Sequence, residues 1–106
     1  FITELGERLR ADGRDLYVSI PVVGHRPEQD YWVYDIAGIA PHVTGIRMMM
    51  YDYSTDEPGP IAPLEWVERG IALATEQAGG PEKLILGIPV YGRNWVVSTE
   101  GTCPDD

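Results

Sequence analysis

The sequence predicts an α/β fold with a parallel sheet, because strand-like and helix-like segments alternate along the chain. Three apolar runs have the length and composition of buried strands. They are Leu16–Val23, Thr44–Tyr51 and Leu84–Val90. The segments before and between these runs carry apolar residues at helical spacing, and the loops that connect them are short. Such connections favour right-handed crossovers, which place successive strands side by side and parallel.

The first two elements are a helix and a strand. Residues 1–12 have the pattern of the later part of an amphipathic helix, with Leu5 and Leu9 on one face and Gly13 as the stop. The run that follows is rich in β-branched residues, which favours a strand. Pro21 lacks an N–H donor, so we expect strand pairing to end there.

A short helix and the second strand come next. Asp35 can cap a helix that continues to about residue 42 and is closed by His42. The second strand begins as a buried apolar run and ends in hydrogen-bonding groups. Turn-forming residues occupy positions 54–60 after it.

A longer helix precedes the third strand. Pro63 suits its first position, and the Gly79-Gly80-Pro81 sequence ends it. Apolar residues at steps of three and four give this helix a buried stripe. They are Leu64, Val67, Ile71 and Ala74.

The number of strands indicates that the fold is part of a larger one. A (β/α)8 barrel takes about 250 residues, and this chain has 106. An open flavodoxin-like sheet would give the same alternation, but no glycine-rich phosphate loop follows any strand. We therefore predict one incomplete domain over residues 1–106, a fragment of a (β/α)8 TIM barrel with roughly its fifth to seventh strands. We expect both chain ends to be cuts in a longer protein.

The composition excludes several classes of partner. The formal charge is −9, from seventeen acidic and eight basic residues. Such a chain repels nucleic acid phosphates and anionic membranes, and it has no apolar stretch near the roughly 18 residues of a membrane helix. Cys103 is the single cysteine, and His25 and His42 lie in unrelated contexts. The sequence therefore predicts no metal site and no cofactor.

Polar and aromatic residues follow two of the predicted strands. Tyr51 and Asp52 end the second strand, and Tyr91 and Arg93 follow the third. In barrel enzymes the working residues lie where the parallel strands end. The sequence thus predicts one ligand site built from these strand ends.

Three blocks around these residues resemble glycoside hydrolase family 18, which includes chitinases and bacterial peptidoglycan hydrolases. The family's sixth strand carries Met-x-Tyr-Asp, matched by Met49–Asp52. The next loop and helix commonly read Gly-Pro-x-Ala-Pro-Leu-x-Trp-Val, matched by Gly59–Val67. The strand after that ends in Gly-x-Pro-x-Tyr-Gly-Arg, matched by Gly87–Arg93. The blocks occur in the family's order and spacing.

The resemblance implies a barrel that hydrolyses β-1,4 links in chitin or peptidoglycan, next to N-acetylglucosamine. The family uses substrate-assisted retaining catalysis, in which the substrate's acetamido oxygen attacks the anomeric carbon. Its proton donor is a glutamate that ends an Asp-x-x-Asp-x-Asp-x-Glu motif on the fourth strand, and residues 1–106 contain no such motif. We therefore expect these residues alone to be inactive. Non-catalytic glycan-binding proteins share the barrel, and this alternative stays open.

The resemblance assigns catalytic roles to Tyr51 and Asp52. The Tyr51 hydroxyl would hold the acetamido group, and the Asp52 carboxylate would contact the sugar and set the proton affinity of the acid. The structural alternatives are a tyrosine that only packs at the strand end and an aspartate that only pairs with Arg93. For Asp52 both interpretations can hold together.

The resemblance assigns substrate binding to Met49, Tyr91 and Arg93. Met49 would form the floor of the pocket, while Met48 and Met50 would face the helices, and core packing is the alternative for all three. Tyr91 could stack on a sugar ring, and Arg93 could donate to sugar hydroxyls or form a strand-end salt bridge.

Further expectations concern the tryptophans and the partners. Trp66 is expected to pack in its helix, whereas Trp32 and Trp95 would extend a sugar-stacking surface. The expected partner is a polysaccharide that contains N-acetylglucosamine, which places the protein outside the cell or at the cell wall. The isolated chain would expose sheet edges and apolar surface, so we expect it to self-associate.

Overall fold

A computed structural model of the chain describes residues 1–21 and 34–101. Helices and strands alternate within it, as predicted. They are α1 (Ile2–Ala11), β1 (Tyr17–Pro21), α2 (Ile36–Ile39), a 3₁₀ helix (Ala40–His42), β2 (Gly45–Met49), α3 (Leu64–Ala78) and β3 (Leu84–Gly87). This order confirms the predicted α/β class.

The strands of the described residues form one parallel sheet in the order β1-β2-β3. At the end of the pairing, Met49 of β2 lies between Pro21 of β1 and Gly87 of β3. The strands therefore finish at the same edge of the sheet. Residues that directly follow them start close together in space, whatever their distance along the chain.

One face of the sheet carries the hydrophobic core. Every second residue along the strands points to this face, where α2, the 3₁₀ helix and α3 cover it. The buried hydrophobic residues are Ile20, Ile46, Met48 and Met50 with Ile36, Ala40, Val43, Trp66 and Ala74. The opposite face, called the open face here, carries Tyr17, Ser19, Arg47, Met49 and Ile85, which are exposed or half-buried.

Local rules set the helix ends. The Asp35 carboxylate accepts a hydrogen bond from the Gly38 N–H at 3.0 Å, which confirms the predicted cap of α2. Gly79 follows α3 with φ 74°, the left-handed conformation that lets a glycine end a helix. The start of α3 was misplaced by one residue, because Pro63 is extended at ψ 133° and the helix begins at Leu64.

β2 and β3 are shorter than predicted, ending before residues 51 and 90. After Met49 the chain turns, and the Met50 N–H donates to the Met48 carbonyl at 3.0 Å. β3 consequently loses its partner beyond Gly87, and Pro89 has no N–H with which to continue the ladder.

The segment after β3 exposes apolar side chains, with Val90 97% and Val96 86% exposed. Self-association of the isolated chain stays a prediction. No helix among residues 1–21 and 34–101 is long and apolar enough to cross a bilayer. Trp32, His25 and Cys103 lie outside the described residues, as does the predicted continuation of the first strand to residue 23.

Candidate functional site

The Asp52 carboxylate joins the chain beyond β2 to the chain beyond β3. Its Oδ1 accepts hydrogen bonds from the Tyr91 hydroxyl at 2.7 Å, from Arg93 Nε at 3.2 Å and from Arg93 Nη2 at 2.7 Å. Tyr91 and Arg93 belong to a segment without regular secondary structure. These bonds therefore hold that segment against the loop after β2, and they bring three of the predicted site residues together.

The backbone of Asp52 has an uncommon conformation. Its φ is 60°, in the left-handed region that few residues other than glycine adopt. Aspartate tolerates this region better than most residues do. Because such conformations are concentrated at ligand sites, the geometry of Asp52 favours a functional role over simple packing.

The hydrogen bonds to Asp52 fix the charges of the cluster. Those from the Arg93 guanidinium, and then that from Tyr91, hold the pKa of the Asp52 carboxyl below its ordinary value of 3.8. The bond to Asp52 also raises the pKa of the Tyr91 hydroxyl above 10.0. Near neutral pH the site thus holds an ionised carboxylate, a protonated phenol and a guanidinium. Their half-exposed side chains keep contact with solvent.

Tyr51 lies beside this cluster with its hydroxyl available. Its ring meets the Tyr91 ring edge to face, with centroids 6.3 Å apart. A Cβ atom on Gly87 would lie 3.1 Å from Tyr51 Cε1 and 2.8 Å from the Met48 carbonyl oxygen, so the glycine admits the ring. With the rest of the described chain, neither the Tyr51 hydroxyl nor Asp52 Oδ2 forms a hydrogen bond. Both groups can bind a ligand.

The three consecutive methionines divide between the two faces of the sheet. Met48 and Met50 are 4% and 1% exposed in the core beneath the helices, whereas Met49 is half-buried on the open face. The predicted orientations are confirmed. Met49 pairs with Gly87, so it lies at the level of the sheet where the Tyr51 ring rests.

The two described tryptophans serve different purposes. Trp66 is buried in α3 and meets the Tyr53 ring at 5.3 Å between centroids, which confirms the predicted helix packing. The indole N–H of Trp95 donates to the Thr55 carbonyl at 3.0 Å and forms a second tie between the segments beyond β2 and β3. Its stacking on a sugar stays a prediction.

Arg47 is a residue of this face to which the sequence assigned no role. It lies two positions before Met49 on the open face, with its guanidinium carbon 4.8 Å from the centroid of the Tyr17 ring. The sequence feature that could have revealed it is a charged residue inside an otherwise apolar strand, two positions from Met49 and so on the same face. Arg47 therefore places a cation on the open face, the same face on which Met49 lies next to the candidate site.

The converging groups are a carboxylate, two phenols and a guanidinium. They offer donors, acceptors and aromatic faces, which suit a ligand rich in hydroxyl and amide groups. No trio of His, Cys, Asp or Glu within residues 1–21 and 34–101 is placed to hold a metal ion. Fold and geometry together define an α/β protein with a candidate ligand site at the carboxyl ends of its parallel strands.

Comparison with known proteins assigns the family. The model for Glycosyl hydrolases family 18 matches residues 1–104, and the chain belongs to this family. The Bacillus subtilis protein named "Putative sporulation-specific glycosylase YdhD" is 33% identical over 101 residues, which are 92% of this chain and 23% of YdhD.

Solved structures of the family share the fold. That of YdhD superposes with a TM-score of 0.78 at 32% identity, covering 91% of this chain and 33% of that one. A chitinase from Chromobacterium violaceum superposes with a TM-score of 0.77 at 30% identity, covering 86% of this chain and 30% of that one. The chain thus spans about a third of these structures.

Proposed function

We propose that the protein carrying these residues is a glycosidase that hydrolyses β-1,4 links in glycans containing N-acetylglucosamine. The arrangement at Asp52 carries this proposal. Oδ1 is occupied by Tyr91 and Arg93, while Oδ2 and the neighbouring Tyr51 hydroxyl bond to nothing within residues 1–21 and 34–101. A fixed acceptor beside a free phenol donor suits an acetamido group, which offers one N–H and one carbonyl oxygen.

In substrate-assisted hydrolysis the acetamido oxygen must approach the anomeric carbon of its own sugar. The Tyr51 hydroxyl, donating to the acetamido group, would orient it and stabilise the charge that develops as the ring closes. Asp52 Oδ2 would accept a hydrogen bond from the acetamido N–H and tune the proton affinity of the acid. That acid would be a glutamate supplied by a part of the protein outside these residues.

Tyr91 and Arg93 act in this proposal through Asp52 and through the cleft they line. Their hydrogen bonds hold the carboxylate in one orientation, which lowers the cost of ordering it when substrate binds. Met49 would form the floor beneath the sugar. The open face would be enclosed by the other strands of a (β/α)8 barrel, in which β1 to β3 would be roughly the fifth to seventh strands.

Replacement of Tyr51 by phenylalanine in the full-length protein tests this function. The hydroxyl is lost and the ring is kept, so turnover on chitin oligosaccharides or peptidoglycan should fall about 100-fold, with a much smaller change in KM. Release of reducing ends measures both quantities. Tyr17→Phe is the matched control, because it removes a hydroxyl from the same face at the other end of the sheet, and it should leave turnover unchanged.

Two results would redirect the proposal. Turnover of Tyr51→Phe at the wild-type level would remove Tyr51 from the reaction. A wild-type protein that binds N-acetylglucosamine oligosaccharides without cleaving them would instead be a glycan-binding protein on the same barrel. A location outside the cell or at the cell wall follows from either substrate class and is part of the proposal.

A further inference from the structure

A cavity lies at the opposite end of the sheet from Asp52, where the strands begin. Its volume is about 220 Å³. The residues directly before β1, β2 and β3 contribute to its walls, together with α1 and the end of the 3₁₀ helix. The polar side chains that line it are those of Arg10, Arg14, Asp15, His42, Thr44 and Lys83.

The cavity collects positive charge in an acidic chain. Arg10, Arg14 and Lys83 are three of only eight basic residues, while the chain as a whole carries −9. Asp15 is the one carboxylate in the lining, and it already accepts a hydrogen bond from the Thr44 hydroxyl at 3.3 Å. Three Arg and Lys cations against one carboxylate leave an excess of two positive charges, which attracts an anion.

The two arginines are available to a ligand. Neither Arg10 nor Arg14 forms an ion pair or a side-chain hydrogen bond with the rest of the described chain. Arg8, two residues earlier on the same helix, is different, because it pairs with Glu4 at 3.2 Å. The Lys83 ammonium donates to the Ala40 carbonyl at 2.6 Å, which fixes its position and leaves two of its three donors.

The backbone holds the cavity walls in place. The Arg14 N–H donates to the Leu9 carbonyl at 2.8 Å, so the chain folds back on the end of α1. A Cβ atom on Gly6 would overlap the His42 carbonyl oxygen, which shows that α1 lies directly against the 3₁₀ helix. The backbone that carries the cations is therefore packed, while the Arg10 and Arg14 side chains are exposed and can reach a ligand from solvent.

We propose that this cavity binds a phosphate group, either free or as a monoester of a small molecule. Two guanidinium forks and one ammonium match the oxygens of a phosphate dianion. The overall negative charge opposes long polyanions and favours a small ligand. Four steps along β2 at about 3.3 Å each put this site more than about 13 Å from Asp52. It is separate from the proposed glycan cleft and does not depend on the proposed function.

The position of Arg10 in the last turn of α1 also stabilises the helix, because a cation there meets its negative end. That explanation does not cover Arg14 and Lys83, which belong to other segments. It predicts a lower melting temperature for an Arg10 variant with no change in anion affinity. The two explanations are therefore separable by binding measurements.

The test is titration calorimetry of the full-length protein with inorganic phosphate. The wild type should bind phosphate in the millimolar range or tighter. The double variant Arg10→Gln with Arg14→Gln should bind at least about tenfold more weakly, because charge-assisted hydrogen bonds are lost. The control Arg8→Gln with Arg69→Gln removes the same charge from exposed positions outside the cavity, and it should keep the wild-type affinity.

Several outcomes would overturn the proposal. One is the absence of phosphate binding by the wild type, and another is an equal loss in the two double variants. Equal affinity for a phosphodiester would overturn the assignment to free phosphate or a monoester. If the glutamine variant does not fold, the double variant Arg10→Lys with Arg14→Lys can replace it. It keeps the charges and should still weaken binding, because an ammonium cannot donate the two parallel hydrogen bonds of a guanidinium. Tyr51→Phe should not change phosphate affinity, which separates this result from the glycosidase test.

Discussion

The two ends of the sheet hold their charged groups in opposite ways. Where the strands end, the Asp52 carboxylate is bound by Arg93 and by Tyr91, so opposite charges meet within the protein. Where the strands begin, Arg10 and Arg14 face a cavity with no such partner in the described chain. The first arrangement orders the polar groups of the strand ends by contacts within the protein, whereas the second leaves cations without a protein partner in the described chain.

The two sites also differ in how the chain assembles them. Asp52 and its partners follow neighbouring strands, so a parallel sheet brings them together at one edge. The cations of the cavity come from a helix end, a turn and the residue before β3. Only the packing of α1 against the 3₁₀ helix completes that cavity. At each end of the sheet a glycine permits a close contact between segments. Substituting that glycine should therefore affect the site at its own end more than the site at the other end.

The largest effect is expected from Gly87→Ala. A Cβ atom there would lie 2.8 Å from the Met48 carbonyl oxygen and 3.1 Å from Tyr51 Cε1, so the backbone at Met48 must shift and the Tyr51 ring must give way with it. A misplacement of about 1 Å in a catalytic group can cost about 100-fold in rate. We expect kcat/KM on chitin oligosaccharides to fall by up to about that factor, with phosphate affinity unchanged.

Gly92→Ala is the control for this prediction. It lies in the same segment, and a Cβ atom there would meet nothing within 4 Å. Its activity should equal that of the wild type. If Gly87→Ala retained full activity as well, the contact between Tyr51 and β3 would have no part in positioning the hydroxyl.

A smaller effect is expected from Gly6→Ala, which acts on the other end. At a helix position alanine is more stable than glycine by about 1 kcal/mol, whereas overpacking a close contact costs about 1–3 kcal/mol. Because the new Cβ would overlap a backbone carbonyl of His42, the cost should exceed the gain. We expect the free energy of unfolding to fall by about 1–2 kcal/mol.

Denaturant unfolding of the full-length protein measures this loss. Glu7→Ala, at an exposed position of the same helix, should leave the unfolding free energy nearly unchanged. Phosphate affinity should also fall in Gly6→Ala, since α1 carries Arg10. A more stable Gly6→Ala variant would show that α1 and the 3₁₀ helix are not held as closely as the structure has them.

The sequence predicted the fold class and the strand-end site for the same physical reason. Apolar runs and helical spacing identified the alternation, and parallel strands place Asp52 and Arg93 at one edge. The salt bridge weighed for Arg93 is present, at 2.7 Å. The exact strand ends were not predicted because they depend on register, and β2 turns away after Met49.

The cavity was not predictable from the sequence pattern. Arg10 and Lys83 are 73 positions apart, the difference between their numbers, and no spacing rule links a helix end to the residue before a later strand. Glycine at position 6 gave no sign of a close contact either, because a helix tolerates glycine for many reasons. Local signals identify residues that follow strands, whereas sites between layers depend on packing.

The smallest effect concerns pH and the Asp52 cluster. Arg93→Gln removes the main cause of the lowered Asp52 pKa, so that pKa should rise toward 3.8. Because the folded-state pKa is depressed, the stabilisation is fully present above about pH 3.8 and is lost as the pH falls through the lower folded value. The stability difference between wild type and Arg93→Gln should shrink over that acidic range.

Carboxyl carbon NMR measures the pKa of Asp52 directly, and Arg69→Gln should leave that pKa unchanged. A pKa of Asp52 that did not move in Arg93→Gln would mean that Tyr91 alone holds the carboxylate in its ionised form.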